Sequence, residues 1–220
     1  MRALTALSLA LFLMGCGKKE PLHQGKSASQ WRQALRDPDA QVRREAAGAL
    51  GALKAADAVP DLTAALKDGD AAVRARAAEA LWSIGPAARE AVPALIPLLK
   101  DASAGVRLNA AGALGQIGSD AAAAAPDLRK TLKDRDVYVR AQAATALGRL
   151  GPAARESVPA LIEAMRDPEK PVRIAAIYAL AEIGPEARPA LPALKAASKE
   201  KDGDIRVATL YALNQIEGQK

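Results

Sequence analysis

Aromatic side chains are scarce in this chain: 3% of 220 residues, comprising two Trp, three Tyr and one Phe. Large flat rings therefore cannot fill its core. Half of the residues are hydrophobic all the same, chiefly Ala, Leu, Val and Ile. Closely packed helices suit that filling, because Ala and Leu are among the best helix formers. A single Cys excludes an internal disulfide. A single His excludes a zinc site built in the usual way from several His and Cys. Neither a phosphate loop nor a dinucleotide-binding fingerprint occurs. Long apolar runs are also missing; the longest near the start, Leu9–Met14, is too short to span a bilayer.

What is present at the start is a leader. "MRALTALSLALFLMGC" has one Arg, a short apolar core and small residues at its end, the pattern of a secretory signal over residues 1–15. Its ending, Leu13-Met14-Gly15-Cys16, resembles the lipobox of bacterial lipoproteins. That resemblance implies cleavage before Cys16 and a diacylglycerol thioether on its sulfur, usually with an N-acyl chain. The alternative is an ordinary signal peptide with a chance cysteine. Two or three acyl chains, at ~0.8 kcal/mol per buried CH₂, hold a membrane firmly. Residues 16–28 then read as a polar tether with Pro21, two Gly and three Lys. His23, inside it, reads as solvated. Gly17 follows the Cys where Asp marks inner-membrane retention in Gram-negative sorting, so an outer-membrane, periplasm-facing location is expected in such a host.

Residues 29–217 are a repeat. "GPAARE" occurs at Gly85–Glu90 and again at Gly151–Glu156. The pairs Val42-Arg43, Val73-Arg74, Val106-Arg107, Val139-Arg140, Val172-Arg173 and Ile205-Arg206 are spaced by 31, 33, 33, 33 and 33 residues. Five residues before each Val or Ile stands an acid: Asp37, Asp68, Asp101, Asp134, Asp167 and Glu200. Eight residues after it stands Leu50, Leu81, Leu114, Leu147, Leu180 or Leu213. Such self-similarity marks a stacked array.

Each unit reads as two helices. Counted from the Val or Ile as step 0, apolar residues at steps 0, 4, 7, 8 and 11 form one helical face. Asp39, Asp70, Ser103, Asp136 and Asp202 stand as N-caps, with Glu169 a weaker one. Gly85, Gly118, Gly151 and Gly184 stand where a helix wants a C-cap. Pro60, Pro93, Pro126, Pro159 and Pro192 open the first helices, Ser29 doing so in unit one. Pro97, inside its helix, predicts a slight kink. "GPAARE" is then the turn between units, two residues shorter in unit one.

The motif Asp-x-x-x-x-Val-Arg-x-x-Ala-(Ala)-x-Ala-Leu-x-x-Ile/Leu-Gly closely resembles HEAT repeats, of the short bacterial kind named after phycobilisome lyases. The resemblance implies an all-α fold, a right-handed α-solenoid of about six two-helix repeats. It also implies a ladder of acid and arginine between neighbouring units, carried over to Asp37/Arg43, Asp68/Arg74, Asp101/Arg107, Asp134/Arg140, Asp167/Arg173 and Glu200/Arg206. The alternative for six aligned arginines is a phosphate-binding stripe.

Some HEAT-like relatives are enzymes. The deoxyhypusine hydroxylases hold two irons with paired His-Glu motifs, and this sequence has none. Phycobilin lyases handle a bilin, to which an envelope lipoprotein has no evident access. One His and an acylated Cys provide no Ser-His-Asp or Cys-His set. The net charge of +6, falling to +5 without the leader, is modest for a nucleic-acid binder, and its lysines crowd the tether, where anionic lipid would meet them.

Binding remains. An array in which each unit touches only its neighbours presents an extended surface, usually concave along the second helices. Steps 2, 6 and 9 point away from the buried face, yet they include Trp82, Leu108, Ile174, Tyr178, Val207 and Tyr211 among small residues. Either these residues line a groove that anchors a partner, or they pack between adjacent second helices. The expectation is a lipid-anchored, non-catalytic scaffold that holds an envelope protein, with no cofactor, metal or nucleic acid. The alternative is a HEAT-like oxidoreductase or lyase.

Overall fold

The computed structural model of the chain describes residues 22–218. The leader, Cys16 and the tether up to residue 21 lie outside the described residues. Six two-helix units follow in order: α1 (Ala28–Ala34) with α2 (Ala40–Ala52), α3 (Val59–Ala65) with α4 (Ala71–Ile84), α5 (Val92–Leu95) with α6 (Ala104–Ile117), α7 (Ala125–Thr131) with α8 (Val137–Arg149), α9 (Val158–Ala164) with α10 (Lys170–Ile183), and α11 (Leu191–Ala197) with α12 (Gly203–Glu217). Each second helix packs on the next along the chain, so the molecule is an all-α solenoid.

Local chemistry sets the helix ends. Asp39, Asp70, Asp136 and Asp202 accept hydrogen bonds from N–H groups of the first turn that the helix leaves free. Ser103 and Glu169 occupy the same place with no side-chain bond. Gly85 ends α4 at φ 74°, a conformation that costs a residue with a Cβ. In unit one Lys54 takes that left-handed place at φ 48°. The bridges are not irregular turns. Gly85–Ala91, Gly118–Ala124, Gly151–Ser157 and Gly184–Ala190 form 3₁₀-helices of 7 residues, and unit one's shorter bridge forms one over Ala56–Ala58. Pro97 does more than kink its helix. It cannot donate to the α-helical ladder, so α5 stops at Leu95 and a 3₁₀-helix continues over Ile96–Lys100.

The core is one continuous spine of small aliphatics. Leu50, Leu81, Leu114, Leu147 and Leu180 are fully buried, as are Val73, Val106, Val139 and Val172. Each such leucine contributes roughly 1.5–3 kcal/mol relative to exposure. Truncation of a central one, Leu114→Ala, costs about 2–5 kcal/mol because the stacked helices on either side hold the cavity open.

The tether expected over 16–28 ends sooner. Strand β1 (Leu22–His23) pairs antiparallel with β2 (Lys26–Ser27) across Gln24 and Gly25, both at positive φ. The Trp31 indole N–H donates to the His23 carbonyl at 3.1 Å, and Lys26 Nζ sits 4.4 Å from the ring centroid. Ser27 and Gln30 then form a capping box at the start of α1. Trp31 is buried beneath this hairpin, which packs on α1.

Candidate binding face

The second helices form one long face, and small residues set how close they come. A Cβ added at Gly51 would stand 2.8 Å from Ala80 Cα, one at Gly115 2.8 Å from Ala146 Cα, and one at Gly148 2.7 Å from Ala179 Cα. Step 9 of one unit thus meets step 7 of the next, backbone to backbone. These positions are contacts between units and do not line a groove.

Trp82 occupies step 9 in unit two, where its neighbours have glycine. A Cβ at Gly112 would stand 2.6 Å from its Cδ2 and Cζ3 atoms, so the indole lies flat on the glycine of the next helix. This corrects the groove reading for Trp82, whose ring is seated between units. Arg76 lies over Gly48 and Glu182 over Gly148 in the same manner. Burial raises the Glu182 carboxyl, and Arg149 opposes that rise. Leu108 and Ile174 are half-buried, Ile174 against the core.

The other three predicted residues stand free. Tyr178 is 41%, Val207 65% and Tyr211 47% exposed, and Leu210 beside them 54%. The rings of Tyr178 and Tyr211 lie 5.8 Å apart at 55°, within the range of favourable aromatic pairs. The apolar end of the face is therefore its C-terminal end. Its other end is polar, with Arg76 paired to Glu79 at 2.9 Å.

A ladder of ions runs along the edge. Arg43 grips Asp68, Arg74 grips Asp101, Arg107 grips Asp134 and Arg140 grips Asp167, each through Nε and Nη2 at 2.7 to 3.1 Å. The pairing is between units, not within the same-unit pairs Asp37/Arg43, Asp68/Arg74, Asp101/Arg107 and Asp134/Arg140. Inside a unit the arginine reaches the acid's backbone: Arg107 Nη1 donates to the Asp101 carbonyl at 2.9 Å. Each guanidinium is thereby engaged on both sides, which leaves these four no edge for phosphate. The Arg43 guanidinium holds Asp68 below the ordinary carboxylate range. Burial pushes Asp101, Asp134 and Asp167 up. Their arginines and the N–H two residues on more than offset it, so each titrates low.

The fifth rung differs. Among the described residues Arg173 bonds the Asp167 and Pro168 carbonyls and no carboxylate. Glu200 stands where the earlier units have Asp, and its longer side chain is exposed. The pairs Asp167/Arg173 and Glu200/Arg206 are likewise made through backbone carbonyls, Arg206 bonding those of Glu200 and Lys201.

Sequence reasoning missed several features. Tyr138, 68% exposed at the start of α8, lies just outside the counted steps. A second set of ion pairs joins the first helices, Arg32 to Asp61 at 2.6 Å and Lys100 to Asp127 at 3.1 Å; the Asp after Pro60 and Pro126 was its signal. Two hydroxyls, Ser157 and Thr209, are buried without a partner. Thr209 sits at step 4, where the other units have Ala. No group of three metal-binding side chains occurs among the described residues, and none of their helices is long and apolar enough to cross a membrane.

The model of the family described as HEAT repeats matches residues 28–89, 65–134 and 125–214. No curated protein matches the chain. A designed armadillo repeat protein in complex with the peptide (KR)4 superposes with a TM-score of 0.74 at 22% identity, over 87% of this chain and 100% of that one. An engineered protein superposes with a TM-score of 0.70 at 23% identity, over 86% and 96%. At those identities the likeness is of fold alone. The complex of CpcE and CpcF of phycocyanin lyase from Nostoc sp. PCC7120 gives a TM-score of 0.66 at 26% identity, over 93% of this chain and 83% of that one.

Proposed function

The chain belongs to the HEAT-repeat family, and from that premise we propose that it is a non-catalytic scaffold that holds a protein partner in the cell envelope. One observation carries the reading: Tyr178, Val207, Leu210 and Tyr211 form an exposed apolar cluster on the last two second helices. Tyrosine is among the residue types enriched at the anchor positions of protein interfaces. The interior of the stack has small residues in close contact and ion pairs that satisfy each other, so, Tyr138 aside, the exposed large apolar residues of the second helices gather at this end.

The test is recovery of partners from envelope extracts by the chain and by a Tyr178→Ala, Tyr211→Ala double variant with an unchanged helical melt. Loss of an anchor costs at least about 2 kcal/mol, or roughly thirtyfold in affinity. Equal recovery of the same partners by both sinks the reading.

The anchor belongs to the same proposal. Cys16 carries the lipid, and residues 17–21 with the hairpin keep the stack close to the membrane, on the periplasmic face of the outer membrane in a Gram-negative host. Cys16→Ser should move the protein to the soluble fraction; a variant that stays with the membrane refutes the lipid. A second reading, a lyase-type role, draws on the likeness to the phycocyanin lyase complex. Attachment of a bilin to phycocyanin in the presence of this chain, and not in its absence, would establish it. An oxidoreductase of the iron-holding type would reveal itself as stoichiometric iron in the purified protein.

A further inference from the structure

The last unit presents the surface on which it is itself seated. At step 5 the residue is fully buried in four units, as Ala47, Ala78, Ala111 and Ala144, and Ile177 in unit five is 1% exposed. Leu210, at the same step of unit six, is 54% exposed. Unit five offers Ile174, Ile177 and Tyr178 at steps 2, 5 and 6, and unit six sits on them. Unit six offers Val207, Leu210 and Tyr211 at the same steps. The outer side of α12 is thus a chemical copy of the outer side of α10.

The ladder adds a charge rule. Arg206 Nη1 bonds the Glu200 and Lys201 carbonyls, as Nη1 of the earlier arginines bonds theirs. Its Nε and Nη2 edge, which in Arg43, Arg74, Arg107 and Arg140 grips the next unit's aspartate, meets no carboxylate among the described residues, as in Arg173. At the opposite end, among the described residues, no such apolar seat is exposed. The hairpin lies beside α2, where His23 and Gln24 share a cleft with Glu45, Gly48 and Ala49, and Ala46 and Ala49 are buried. A second copy stacked head to tail would have to displace that hairpin.

We infer that the C-terminal end docks a helical repeat of another polypeptide. That repeat is an alanine-lined helix pair with a carboxylate just ahead of its second helix, seated on α12 as α12 is seated on α10. The alanines follow from what α12 turns toward α10: Ala208 and Ala212, at steps 3 and 7, are buried, and step 7 is the Ala that meets step 9 elsewhere. The carboxylate follows from Arg206. The inference rests on the reading that this end of the second-helix face binds a protein, and it names the partner's chemistry.

The probe is a synthetic peptide of residues 184–217 of this chain carrying Glu200→Asp, labelled and titrated with the full chain. We expect saturable binding with a gain of helical circular dichroism. Binding should weaken about tenfold for Arg206→Ala in the chain, the equal of one charge-assisted hydrogen bond. A peptide with Glu200→Ala should lose the same factor against the parent chain and nothing further against Arg206→Ala. Leu210→Asp, an exposed position that leaves the fold intact, should abolish binding. Absence of saturable binding, or indifference to Arg206→Ala and Leu210→Asp, overturns the inference. So does a dimer of the chain in sedimentation that Leu210→Asp dissociates, because a second copy would then be the occupant. If the peptide fails while the double tyrosine variant still loses its envelope partner, the scaffold reading stands and only the repeat-like partner falls.

Discussion

Arg107 of the third unit holds Asp134 of the fourth by two parallel hydrogen bonds, Nε to Oδ2 at 2.7 Å and Nη2 to Oδ1 at 2.8 Å. Both side chains are largely withdrawn from water, at 6% and 11% exposure. The fork geometry suits arginine and no other residue. The same guanidinium ties down the Asp101 and Ala102 carbonyls. One side chain therefore joins the loop of its own unit to that of the next.

Arg107→Ala strands Asp134 and two carbonyls at once. Removing one partner of such a pair should cost about 2–3 kcal/mol, or roughly 5–10 °C in melting temperature for a chain of this size. Arg155→Ala, on an exposed bridge at 71% side-chain exposure, should change the melt little. Equal melting temperatures for the two variants would show that the ladder does not hold the units together.

Acid should undo the ladder in a defined window. Asp68, Asp101, Asp134 and Asp167 all titrate below the ordinary value in the folded chain. As pH falls, the unfolded chain takes up protons first, so the equilibrium shifts toward it. Their contribution is complete above the unfolded value near ~3.9 and disappears as pH falls through the lower folded values. Urea midpoints should be flat down to about pH 5 and decline steeply below about pH 4. Asp134→Asn should make that acid limb shallower; an unchanged slope would assign the loss to other groups.

Gly112 has no room for a side chain beneath Trp82. Gly112→Ala forces the indole off its seat or the two helices apart, at about 1–3 kcal/mol. Tryptophan emission should shift to the red as the ring meets water. Gly69→Ala is the control, since nothing lies within 4 Å of its added carbon. If Gly112→Ala melts and fluoresces like the parent, the indole is not packed on that glycine.

Glu200→Asp should complete the fifth rung. The shorter acid can reach Arg173 and accept the N–H two residues on, as Asp167 does from Glu169. A rise of about 1–4 °C is expected from one recovered charge-assisted bond. A fall in melting temperature would mean that the last unit is set at a different spacing from the others.

The helix pairs were legible because each boundary rests on local chemistry: a cap, a glycine, a proline, and apolar residues repeating at helical spacing. The ladder was legible only in part. Acid and arginine both recur every unit, so spacing alone does not say whether Arg107 faces Asp101 or Asp134; the stacked geometry decides. Trp82 was open between groove and packing for a similar reason. Its partner Gly112 lies in another unit, and a lone aromatic at an outward step looks exposed until the neighbouring helix is in place. The hairpin at Leu22–Ser27 has no apolar alternation and is held by Trp31, a contact no local pattern announces. At Tyr178 and Tyr211 the outward steps do lead to open surface, since both rings stay more than a third exposed.

The hairpin over Trp31 also bears on how copies of the stack could join along its axis. Two bare ends of complementary shape would let copies join without limit and grow into fibres. With the hairpin lying against one end, the inferred docking leaves growth a single direction. An axial assembly of the inferred kind is then directional, growing from the exposed surface beside Leu210.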